Sequence, residues 1–167
     1  MKGHKAGLFV FTFIVLFVTW FLITGSFEIQ EITAGIIVAL GIAAATAAVF
    51  TEHGLDHLAP RRLLYLLLYV PYYFYQVILA NLDVVYRVLA PSLPIKPGFV
   101  TVRTSLKTDS GKLALANSIT LTPGTIVADV SGDELLVHWI YVKDESMEGA
   151  GSSIVAPFEK WLEVIFG

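Results

Sequence analysis

The 167-residue chain contains no cysteine, which excludes disulfides, thiolate metal sites and a cysteine nucleophile. Charge is also scarce: Asp, Glu, Lys and Arg together make up 15% of the residues, and the net charge is −3. That balance offers no basic surface for a nucleic-acid partner. The 13 glycines are scattered, so neither a phosphate-cradling loop nor a dinucleotide fingerprint forms. Histidine is limited to His4, His53, His57 and His138. Hydrophobic residues, by contrast, reach 56%, too apolar for an ordinary soluble domain and in the range of membrane proteins.

The apolar residues are gathered at the N-terminal side. Residues 8–24 form an uninterrupted run, and residues 29–49 form a second, broken only by Gln30 and Glu31. As helices they reach roughly 26 and 31 Å, enough to cross a hydrocarbon core of about 30 Å. The short stretch TGSFE (24–28) leaves room only for a tight turn, so the pair reads as a transmembrane hairpin. Lys2, Lys5 and the small residues of the turn also resemble a signal peptide, but the second run follows almost at once. Gly35, Ala39, Ala43 and Ala47 recur every four residues and draw a small-residue ridge. Such a ridge lets another helix approach closely, either within the hairpin or from a second subunit. Lys2, Lys5, Arg61 and Arg62 flank the hairpin while its turn carries Glu28 and Glu31, which places both ends in the cytoplasm.

Residues 63–82 are long enough to cross as well. Tyr65, Tyr69, Tyr72, Tyr73 and Tyr75 crowd the first half, however, and tyrosine favours the headgroup level. Pro71 should break or bend the helix. Gln76, Asp83 and Arg87 then recur on one stripe, with Asp83 and Arg87 able to pair at i,i+4. The preferred reading is an amphipathic helix at the cytoplasmic interface; the competing one is a third span.

The three prolines of APSLPIKPG (90–98) end that helix, and the pattern then becomes that of a small α+β unit. Residues 99–103, 125–130 and 135–142 read as strands, with a hairpin turn at SGDE (131–134). Asp109 or Ser110 can cap a helix running to about residue 119. Ile154, Phe158, Trp161, Leu162 and Ile165 mark the buried face of a last helix, with Pro157 tolerable in its first turn. The order is β-α-β-β-α. Thr122, Pro123 and Gly124 form a corner in which Pro-Gly suits the centre of a type II turn. The chain thus divides into a transmembrane hairpin (1–60), an amphipathic or third helix with a proline-rich linker (61–97), and a cytoplasmic α+β domain (98–167).

No nucleophile motif surrounds the Ser, His and Asp residues, so the chain is read as a non-enzyme without cofactor. EHGLDH (52–57) sets two histidines at i and i+4, but it lacks the glutamate directly after the first. A juxtamembrane loop accounts for it more simply than a metal site. His138 stands beside Trp139 on a strand and reads as a hydrogen-bonded structural histidine rather than a pH sensor. The spanning runs hold no Lys, Arg or Asp, so this chain alone cannot string together an ion relay.

ILANLDVV (78–85), PIKPGFV (94–100), SLKTD (105–109), NSITLTPGT (117–125) and DELLVHWIYV (133–142) occur in one order. In this the chain resembles the E subunit of Mrp (Mnh)-type multisubunit Na+/H+ antiporters, over about residues 1–145. The resemblance implies membership of a hetero-oligomeric complex in the bacterial or archaeal cell membrane. By that resemblance the ion-conducting work would belong to large subunits related to those of respiratory complex I, and the E subunit would be an accessory and assembly component. Its partners would be the other subunits and the lipid bilayer, with Asn81, Asp83, Arg87, Thr122, Pro123, Gly124 and His138 as interface candidates beside the helix-two ridge. E-like subunits also occur in membrane-bound hydrogenase-type complexes, which is the alternative host. A free-standing, membrane-tethered binding module is the third reading.

Overall fold

A computed structural model describes residues 2–50 and 59–167. The chain divides into two compact units, Met1–Ala59 and Pro60–Gly167.

The first unit holds α1 (Lys2–Thr24) and α2 (Ile29–Phe50). Gly25 ends α1 at φ 59°, where its N–H donates to Phe21 O at 2.9 Å, a left-handed cap that glycine supplies without a Cβ penalty. The two helices pack on each other: Trp20 Nε1 donates to Glu31 O at 3.0 Å, and Gly35 lies against the Trp20 ring. Ala39 and Ala43 are buried beside it, so this part of the ridge is used within the unit. The side chain of Ala47, and the whole 52–57 stretch, lie outside the described residues. Most of the remaining surface is exposed Val, Leu and Ile. By length and composition α1, α2 and the following helix, α3 (Pro60–Leu89), are each able to cross a membrane.

The second unit begins with α3, which continues as one helix through Pro71, so of the expected break or bend the break does not occur. After it come β1 (Gly98–Arg103), α4 (Asp109–Thr120), β2 (Thr125–Ser131), β3 (Glu134–Trp139), α5 (Met147–Ile154) and α6 (Ala156–Phe166). The strands form an antiparallel sheet in the order β1-β3-β2, with a bulge between Val127 and Asp129. Alternation puts Val100, Val102, Leu135 and Val137 on the buried face. Leu115 and Ile119 of α4, Ile154 of α5 and Phe158 and Leu162 of α6 complete that core.

Three expectations need correction. The order is β-α-β-β-α-α, because α5 precedes the last helix and Ile154 belongs to it. The two glycines and two serines of this segment give almost no helix propensity. It folds because Ser146 caps it, accepting from Gly149 N at 3.1 Å, and because Ala150 and Ile154 are buried. The cap of α4 is Thr108, not Asp109 or Ser110; its hydroxyl accepts from Gly111 N at 3.1 Å. β3 stops at Trp139 instead of reaching residue 142, and the chain beyond it is held by Val142 N donating to Lys96 O at 2.9 Å.

Candidate functional site: the seam between α3 and the sheet domain

Four of the five tyrosines in the first half of α3 pack against the sheet domain. Tyr65, Tyr69, Tyr72 and Tyr73 fall at three- and four-residue steps, hence on one face, and that face meets α6. Trp161 is within ring contact of Tyr65, Tyr69 and Tyr72, with centroids 5.9, 6.4 and 5.1 Å away. Tyr73 meets Phe158 at 6.0 Å. Tyr72 Oη donates to Pro157 O at 2.9 Å, a carbonyl at the start of α6. Tyr69 Oη and Ser118 Oγ lie 2.7 Å apart in the buried interior. Ser118 Oγ donates to Ala114 O, so the phenol is the donor of that pair. Arg62 reaches Gly167 O at the far end.

Further along, α3 and the domain enclose a cleft of about 270 Å³. Gln76, Ala80 and Asp83 form its α3 wall; Thr122, Pro123 and Lys143 stand opposite. The corner at 122–125 is a type II turn: Thr125 N donates to Thr122 O at 3.4 Å and Gly124 has φ 94°. Thr122 Oγ1 donates to Ser118 O at 2.7 Å and Thr125 Oγ1 to Ile119 O at 2.8 Å, which adds side-chain donors to the carbonyls at the end of α4. A Cβ on Gly124 would stand 3.1 Å from Ile140 Cγ2 and 3.6 Å from Val84 Cγ2, so the corner is pressed between α3 and the chain after β3.

At the C-terminal end of α3, Arg87 is 7% exposed. Its Nε and Nη2 grip Asp83 at 2.7 and 2.9 Å, its Nη1 donates to Pro94 O at 2.7 Å, and its guanidinium lies 4.0 Å from the Tyr141 ring centre. The expected i,i+4 pair is therefore also a latch on the linker, whose residues 94–96 are bound beside 140–142. Lys96 N donates to Ile140 O at 3.1 Å. Glu159 of α6 adds a staple on β1's exit, accepting from Thr104 Oγ1 at 2.7 Å and Ser105 N at 2.6 Å.

The structure thus gathers Asp83, Arg87, Thr122, Pro123 and Gly124 along one seam. It leaves Asn81 and His138 outside. Asn81 Nδ2 donates to Val77 O on its own helix at 2.8 Å. His138 sits on the sheet's other face, its ring 5.1 Å from that of Phe99. Sequence reasoning missed Ser118, Tyr141, Glu159 and Trp161 as seam residues. Only the i, i+4, i+7 tyrosine spacing pointed to a packed face, and it served a lipid reading equally well. Most polar groups of the seam are already partnered: the Tyr69, Tyr72, Thr122 and Thr125 hydroxyls within the unit, Asp83 on Arg87. Among the described residues, Tyr73 Oη and Arg62 Nη1 are buried without a hydrogen-bond partner. Such an arrangement fixes positions. Among the described residues, no group of three or more His, Asp or Glu side chains comes together to hold a metal ion.

A family model described as MNHE, Na+/H+ ion antiporter subunit, matches residues 13–165. The E1 subunit of the Na(+)/H(+) antiporter of Staphylococcus haemolyticus (strain JCSC1435) is 32% identical over 154 residues, 87% of this chain and 91% of that protein. Its counterpart from Staphylococcus saprophyticus subsp. saprophyticus is 33% identical over 150 residues, 84% of this chain and 88% of that protein. Among solved structures, a chain of the membrane-bound sulfane sulfur reductase, an archaeal respiratory membrane complex, is 52% identical with a TM-score of 0.86, and the match covers 96% of this chain and 99% of that one.

Proposed function

Because the chain belongs to the E-subunit family of Na+/H+ antiporters, we propose that it is a non-catalytic accessory and assembly subunit of a multisubunit cation/proton antiporter complex in the cell membrane. The observation that carries this reading is the seam. Tyr69, Tyr72, Asp83 and Arg87 direct their polar groups to partners within the unit, so α3 and the sheet domain are built to be held in register with each other. That is a scaffold's requirement, since a positioning surface must not yield. In this reading α1 and α2 insert as a hairpin, with the N-terminus and the sheet domain in the cytoplasm on the positive-inside pattern. The partners are the other subunits of the complex and the bilayer.

A second reading concerns the host. Identity of 52% to a chain of a respiratory complex, against 32–33% to the antiporter subunits, favours an assembly in which the antiporter-type part is joined to redox subunits. The scaffold role is the same in both. The deciding experiment is purification of the tagged chain from its own membranes in mild detergent. Recovery with large multi-span subunits supports the scaffold, and iron–sulfur subunits in the same complex select the redox host. Cation movement through vesicles that contain this chain alone would overturn the non-catalytic role.

A further inference from the structure

We infer that α3 does not cross the membrane but lies in its plane, with its outer stripe seated in the lipid beneath the headgroups and the sheet domain riding on its inner face. The second unit alone places the helix in this way, whichever complex hosts the chain. Contacts with the domain extend from Arg62, which reaches Gly167 O, to Arg87, which reaches Pro94 O and the Tyr141 ring. Those two arginines are separated by about 37 Å of helix, longer than the roughly 30 Å hydrocarbon core. A crossing α3 would therefore carry the domain through the core with it. The domain is water-facing: the Arg103–Glu134 and Lys96–Glu145 pairs are exposed on its surface. Ionised groups at that depth are strongly disfavoured.

The opposite face of α3 has the complementary character. Leu67, Phe74, Ile78, Leu82, Val85 and Leu89 recur at helical spacing, and each is about half exposed or more. No charge interrupts them. Their size selects lipid over a partner helix as the occupant. Helices that dock on one another within a membrane do so through small residues, as α2 does with Gly35, Ala39 and Ala43 against α1. The α3 stripe has no glycine or alanine. Arg61 near its start, stacked 5.8 Å from the Tyr65 ring centre, sits where a side chain can reach the headgroups.

The test uses the full chain in its assembled complex, in nanodiscs of its own membrane lipids. The chain has no cysteine, so Leu67→Cys, Phe74→Cys, Leu82→Cys and Leu89→Cys each carry one nitroxide. Depth is read from relaxation by oxygen against a water-soluble nickel chelate. All four labels are expected at one shallow depth, oxygen-accessible, within about one helical pitch of 5 Å. A spanning α3 would separate Leu67 from Leu82 by about 22 Å along the normal, and that gradient overturns the inference. Labels reached by neither probe would mean that protein covers the stripe, which overturns it equally. A variant that misfolds is recognised by the loss of Trp161's stacked environment, and the other three positions then decide.

Discussion

The buried pair of Tyr69 and Ser118 gives a prediction whose asymmetry follows from the direction of one proton. Ser118 has a single hydroxyl hydrogen, and Ala114 O takes it at 2.7 Å. Tyr69 must then donate to Ser118 Oγ, 2.7 Å away. Tyr69→Phe removes the donor and leaves Ser118 with an unused lone pair, at a cost of about 0.5–1.5 kcal/mol. Ser118→Ala instead strands a buried phenol O–H without an acceptor, which costs about 1–3 kcal/mol. The double variant strands nothing and loses only the net value of the bond, so it should be more stable than Ser118→Ala alone. Amide exchange of α4 in the full chain reads the difference, because each 1.4 kcal/mol is a tenfold change in an opening equilibrium. Ser118→Ala should speed exchange by roughly 5- to 150-fold, and Tyr69→Phe added to it should slow it again. Additive effects, or a larger cost for Tyr69→Phe than for Ser118→Ala, would refute the assigned direction and the claim that this bond locks α3 to the domain.

Three further outcomes follow from the same geometry. Gly124→Val places a branched side chain at φ 94° and 3.1 Å from Ile140, a penalty of roughly 1–3 kcal/mol; the yield of assembled complex and its cation/proton exchange should fall, while Gly124→Asn, which tolerates the left-handed region, should fall less. Gly35→Val would drive its Cβ to 2.5 Å from Trp20 Cδ1, whereas a Cβ at Gly41 meets nothing within 4 Å; only the first should lower the thermal stability of the purified chain, and equal effects would show that Gly35 does not set the α1–α2 contact. Hydrogen bonding from Ser146, first its hydroxyl and then its backbone N–H, holds the Asp144 carboxyl below the usual aspartate range, and Lys96 does the same for Glu145. A depressed folded value contributes stability above the unfolded range of about 4 that is lost as pH falls through the folded value, so amide protection factors at the start of α5, with the intrinsic pH dependence of exchange divided out, should fall only in acid below about pH 4, and a fall on going to alkaline pH instead would count against it.

The sheet domain was legible where local chemistry and burial agree. The alternation at 99–103, the Gly132 turn and the Pro123-Gly124 corner each require one backbone conformation, and each is found: Gly132 at φ 63° in the first central position of its hairpin, Gly124 at φ 94°. The α5 helix was not legible, because Gly149, Gly151, Ser152 and Ser153 oppose it locally and only the burial of Ala150 and Ile154 supports it. From sequence the cap of α4 falls on Asp109 or Ser110, one or two residues late, because the adjacent Thr108 is an equally able acceptor; its extended φ and ψ of −86° and 144° make it the cap. Of the candidate site, the Asp83–Arg87 pair was visible from spacing. Its reach to Pro94 and Tyr141 was not, since a salt bridge at i,i+4 has the same sequence signature whether exposed or buried. Ser118 and Trp161 were missed for a related reason: a pairing across 49 residues, such as Tyr69 with Ser118, leaves no periodic trace.

The seam's composition also bears on the proposed scaffold role. Leucines at positions 65, 69, 72 and 73 would bury as much apolar surface, but an apolar contact tolerates sliding by one residue. The phenols of Tyr69 and Tyr72 do not, because each hydroxyl must find one partner atom: Tyr69 the Ser118 hydroxyl, Tyr72 the Pro157 carbonyl. A buried donor that slips out of register loses the bond and pays for desolvation as well. The Arg87 latch adds the same directional demand at the other end, on Asp83, Pro94 and Tyr141 together. Two directional clamps, one in each half of α3, fix both the position and the rotation of the helix against the domain. A displacement applied at the Thr122–Gly124 corner is therefore delivered to α3 as rigid movement rather than absorbed as sliding, which is the mechanical property that holding subunits in register requires.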